Sequence, residues 1–141
     1  MLLEDVAPVF RILLIMAYLF SFFHKLNWGF LDPSSSCAVF FYKNLVPSFL
    51  SPYLPAPEGI FGSLIISSVL LAELLIPLFL LLTVTRGVGI LLGILFHLIL
   101  GITHYNFSVM VYGLYLLFLP PGFFRMVEEG WKELRLKMPF L

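Results

Sequence analysis

From Val6 to Phe23 the chain is apolar except for one charge, Arg11, and three further apolar stretches follow at about 60–82, 87–103 and 107–119. A helix of ~20 such residues crosses the ~30 Å hydrocarbon core of a bilayer. The pattern predicts an all-α fold: a polytopic integral membrane four-helix bundle, one transmembrane domain over residues 1–141. Composition points the same way, with 61% hydrophobic residues, 11% charged and a mean hydropathy of +1.06. Eight acids and eight bases cannot clothe a water-soluble domain of this size in a polar skin. A soluble enzyme, a disordered tail and a nucleic-acid binder are excluded, the last a second time because a net charge of +0 leaves no basic surplus for phosphates. The single cysteine, Cys37, excludes an internal disulfide and any Cys-pair metal motif, and no metal is expected.

The first run follows Glu4 and Asp5 and lacks a basic start or a small-residue cleavage site, so it reads as a retained helix rather than a cleaved signal. Pro8 falls in its first turn, where a missing N–H does no harm. Between His24 and Gly59, Pro33, Pro47, Pro52, Pro55 and Pro57 forbid a continuous span. Within this proline-rich outer loop a short helix is predicted from about Ser35 to Leu45, too apolar for open water and so set at the interface or tucked onto the bundle. Gly89 and Gly93 stand at a spacing that lets another helix approach closely. His104-Tyr105-Asn106 reads as a tight turn. Phe124, Val127, Trp131, Leu134 and Met138 recur at helical spacing, predicting an amphipathic surface helix over about 123–138. With four spans the termini share a side, and Arg86, Arg125, Lys132, Arg135 and Lys137 lie on it, against Lys25 and Lys43 opposite. The positive-inside rule then places both termini in the cytoplasm, of a bacterial inner membrane in this reading.

Ionisable residues inside spans are costly, so each is a functional candidate. Counted from the outer ends of their spans, Arg11 and Glu73 both sit about 18–20 Å deep, and His97 falls near that level. One reading is a structural Arg11–Glu73 ion pair with His97 as a hydrogen-bonding core residue. The other is an intramembrane polar cluster that handles protons or binds a ligand. A second candidate lies at the outer mouth of the first span, Phe23-His24-Lys25-Leu26-Asn27-Trp28. Lys25 either snorkels to the headgroups with Trp28 in the aromatic belt, or lies partly buried under the loop, where its amine serves as a base flanked by His24, Asn27 and Trp28.

These residues carry a resemblance. Phe23-His24-Lys25-Leu26-Asn27-Trp28 resembles the Lys-Leu-Asp/Asn…Trp segment of the vitamin K-dependent gamma-carboxylase membrane domain, also called the horizontally transferred transmembrane domain. Ser36-Cys37-Ala38-Val39, Leu70-Leu71-Ala72-Glu73-Leu74, Arg86-Gly87-Val88-Gly89, Phe96-His97 and Phe107-Ser108-Val109-Met110-Val111-Tyr112 are similar to its successive segments, in order, over about Ile15 to Arg125. The Glu73 position looks like an aspartate in the carboxylases. The resemblance implies that Lys25 matches the lysine base that deprotonates reduced vitamin K. It also implies a quinone or hydroquinone as cofactor or ligand. The family's helices that precede the lysine, with an active-site histidine, and its propeptide-binding domain have no counterpart here. The expectation is therefore about half of the membrane domain. The first reading is a small membrane protein that binds a quinone, quinol or other hydrophobic ligand. The alternatives are a non-catalytic accessory subunit of a respiratory or photosynthetic membrane complex, and one part of a split carboxylase-like enzyme. The expected partners are membrane lipid and other membrane chains.

Overall fold

The computed structural model describes residues 2–46, 51–102, 104–120, 122, 123, 126 and 129–133. Among these, every regular element is helical: α1 (Leu2–Lys25), α2 (Trp28–Leu31), α3 (Cys37–Leu45), α4 (Gly59–Leu81), α5 (Arg86–Gly101) and α6 (Tyr105–Leu116), with a single 3-10 turn at Ser51–Tyr53. Two stretches, Val6–Lys25 and Gly59–Leu81, are long and apolar enough to cross a membrane, and α5 is a shorter apolar helix. Only 22% and 28% of the residues in the most apolar part of those two stretches are buried in the chain. Their outward faces carry Ile12, Leu13 and Phe20 on α1, and Ile60, Leu64 and Leu71 on α4. A helix at the surface of a water-soluble domain shows the opposite pattern, apolar inward and polar outward.

α1 packs on α4, α4 on α5, α5 on α6, and α6 returns to α1. Leu14, Tyr18, Ile76, Leu80, Val111, Tyr115 and Phe118 fill the centre. A second cluster of Phe30, Ala38, Val39 and Ile66 joins α2 and α3 to α4. The short helix expected over 35–45 is α3, tucked onto α4 as anticipated. The four-residue α2 before it is unannounced by any periodicity. Asn27 starts α2: its side-chain oxygen accepts from the Phe30 amide at 3.0 Å, while its Nδ2 donates to the His24 carbonyl at 2.7 Å. Asp32 ends α2, and the amide and hydroxyl of Ser34 donate to its carboxylate at 2.9 and 2.8 Å, holding it below the usual carboxylate range. The tight turn expected at His104-Tyr105-Asn106 is instead the start of α6, with His104 at its N-cap. Of the surface helix expected over 123–138, Phe123, Met126 and residues 129–133 are helical, and the remainder lies outside the described residues.

The two glycines of α5 serve different neighbours. A Cβ at Gly89 would stand 2.9 Å from the Leu80 amide nitrogen, so this glycine brings the backbones of α4 and α5 together. A Cβ at Gly93 would collide with the Tyr115 hydroxyl, so this one admits a side chain from α6.

The helices do not share an end plane. Lys25, the last residue of α1, lies opposite Glu73, about 21 Å along α4 from Gly59. The N-terminal half of α4 is covered by α2 and α3. Depths counted from span ends therefore mislead, and the expected common level of Arg11 and Glu73 is corrected. Arg11 lies at the other end, where its Nε donates to the Leu117 carbonyl at 2.6 Å and caps α6.

Candidate functional site

Tyr18, Ser21 and Lys25 fall three and four residues apart, so they form one polar stripe along the C-terminal part of α1. That stripe faces α4 and the interior. Lys25 Nζ donates to Glu73 Oε1 at 2.6 Å and to Ser21 Oγ at 2.6 Å, and Ser21 Oγ donates to Glu73 Oε1 at 2.9 Å. The ring of Phe30, from α2, lies 5.7 Å from the ammonium. The side chains of Lys25 and Glu73 are 22% and 7% exposed, so this is a largely buried ion pair. Glu73 Oε2 is buried and has no hydrogen-bond partner among the described residues. Four residues on, Pro77 has no N–H for the Glu73 carbonyl, so this turn of α4 lacks one bond of its ladder.

Next to the pair along the α1 stripe is an uncharged network. The Tyr18 hydroxyl lies 2.7 Å from His97 Nε2 and is also hydrogen-bonded to the Tyr115 hydroxyl. Which atom donates depends on the histidine tautomer. Phe96, Phe107 and Tyr112 surround the imidazole, whose Nδ1 is buried without a partner among the described residues. Three helices thus contribute to one polar thread: Tyr18 from α1, His97 from α5 and Tyr115 from α6.

The sequence expectations divide accordingly. Lys25, Glu73 and His97 line the interior. Arg11 does not join them, so the Arg11–Glu73 pair is corrected to Lys25–Glu73. His24, Asn27 and Trp28 do not gather around the amine either. His24 and Asn27 are exposed, with Asn27 engaged in capping α2, and Trp28 is 88% exposed. Asn27 and Trp28 follow Lys25 in sequence, but the turn into α2 swings them outward, while His24, the residue before Lys25 on α1, faces away from the interior. Sequence reasoning missed Tyr18, Ser21, Tyr115 and Phe30. The spacing of Tyr18, Ser21 and Lys25 was the available clue to two of them.

A carboxylate with one oxygen engaged and one idle, beside an ammonium, can accept a hydrogen bond or a proton from a ligand hydroxyl and hold the anion left behind. Comparison of the chain with protein-family models, curated proteins and solved structures returns no match.

Proposed function

We propose that the chain is an integral membrane protein in which α1, α4, α5 and α6 form a four-helix bundle in the bilayer, termini cytoplasmic, and that it binds the hydroxyl head of a quinol at Lys25 and Glu73. The outward apolar faces of α1 and α4 support the membrane setting. The buried, unpartnered Glu73 Oε2 carries the ligand reading, because a buried acceptor without a donor is costly and a phenolic O–H supplies one. In this reading Glu73 accepts the proton of the quinol hydroxyl, and the Lys25 ammonium holds the phenolate oxygen that remains. The roles differ from those implied by the carboxylase resemblance, where lysine is itself the base. Tyr18, one helical turn from Ser21 on α1, and His97 form a separate hydrogen-bonded pair next to this site.

The test is purification in mild detergent followed by extraction and quantification of bound quinone. Wild type is expected to carry quinone. Glu73→Gln is expected to lose it while keeping its helical content. A wild-type preparation free of quinone overturns the ligand reading, and if it travels with a larger complex it supports an accessory subunit instead.

A further inference from the structure

At the end of the bundle opposite Lys25, two arginines converge on one aromatic ring. The guanidinium carbons of Arg11 and of Arg86, the first residue of α5, lie 5.8 and 6.0 Å from the centre of the Phe118 ring. Neither is paired with a carboxylate among the described residues. Two like charges gathered at one ring repel each other, and a bound anion offsets that repulsion. Their donors are also underused. Arg11 spends its Nε on the Leu117 carbonyl, whereas Arg86 Nε is buried and has no hydrogen-bond partner among the described residues. A guanidinium presents its N–H groups as a rigid fork that matches phosphate oxygens.

The surroundings select the source of the phosphate. The ends of α4 and α6 and the start of α5 meet here, and beyond this level only α1 of the four bundle helices continues. Beside Arg86, in the α4–α5 turn, Leu82 and Val84 are 61% and 94% exposed. Acyl chains cover such residues; a free anion in water leaves them bare. We infer that Arg11 and Arg86, both anchored at the Phe118 ring, form a binding site for the phosphate of an anionic lipid headgroup. The inference rests on the membrane part of the proposed function and is independent of the quinol.

The experiment is native mass spectrometry of the full chain in mild detergent, titrated separately with phosphatidylglycerol, phosphatidylcholine and glycerol phosphate. Phosphatidylglycerol is expected to be retained in preference to phosphatidylcholine, and to bind Arg86→Gln about tenfold more weakly, a loss of ~1.4 kcal/mol. Arg86 Nε has no hydrogen-bond partner among the described residues to lose, and circular dichroism checks that this variant keeps its helical content. Arg86→Lys retains charge without the fork and is expected to fall between the two. Equal phosphatidylglycerol affinity in wild type and Arg86→Gln overturns the site. Glycerol phosphate binding as tightly as the lipid overturns the lipid assignment. Quinone content unchanged in Arg86→Gln separates this site from the one at Glu73. A chain that stays dispersed in water without detergent removes the membrane reading itself.

Discussion

Lys25 Nζ and Glu73 Oε1 lie 2.6 Å apart, tying the last residue of α1 to the middle of α4 across 48 residues of sequence. Removing one partner of a buried pair strands the other charge and costs about 3–5 kcal/mol, less where one end is partly solvated, as at Lys25. Lys25→Met and Glu73→Gln are each expected to lower the thermal midpoint in detergent more than the double variant does. Strictly additive losses in that double-mutant cycle would show that the two groups do not act as a pair.

Arginine at position 25 separates two chemical roles. Arginine remains protonated, so it can replace an ammonium that holds an anion but not an amine that takes up a proton. Quinone retention is expected to survive in Lys25→Arg and to disappear in Lys25→Met, read by extraction of the purified proteins. Loss in both, with helicity intact, would return the base role to Lys25.

Two glycines on neighbouring helices make opposite forecasts. Gly93→Ala drives a methyl into the Tyr115 hydroxyl, whereas a methyl at Gly113 meets nothing within 4 Å. Overpacking of this kind costs about 1–3 kcal/mol. Alanine in place of an unobstructed helical glycine gains up to ~1 kcal/mol. Unfolding in detergent should therefore weaken Gly93→Ala and leave Gly113→Ala equal to or firmer than wild type.

The single cysteine is a ready probe of sidedness. Cys37 is exposed at the start of α3, on the side proposed to face away from the cytoplasm. A membrane-impermeant maleimide is expected to label it in intact cells. In a Cys37→Ser background, a cysteine at the exposed position Met126 is expected to react only after lysis. The reverse pattern means that the topology is inverted.

The helices α1, α4 and α5 are legible in the sequence because each is a long apolar run with few interruptions. α3 is legible from its flanking prolines and serines. α2 is not, since four residues held by one asparagine cap show no period. The charged residues within the apolar runs were visible, yet their pairing was hidden. Depth counted from helix ends presumes a shared end plane, and α2 and α3 occupy the place beside the N-terminal half of α4 that this count gives to α1. Tyr18 and Ser21 were overlooked because an isolated hydroxyl in an apolar run is usually satisfied within its own helix. Only their placement in register with Lys25 makes them partners of Glu73 and His97. The spacing of Gly89 and Gly93 was visible, but not that one receives a backbone and the other a tyrosine.

That division of labour on α5 limits how the chain can diverge. A single residue inserted between Gly89 and Gly93 turns everything beyond it by about 100°. Gly93 would then leave Tyr115, and His97 would leave Tyr18, in the same stroke. Lengthening is tolerable in the exposed stretch 52–56 between α3 and α4. Descendants of this sequence are therefore free to vary in loop length and outward apolar identity, while the reading frame of α5 from its first glycine contact to its histidine must be inherited without a gap.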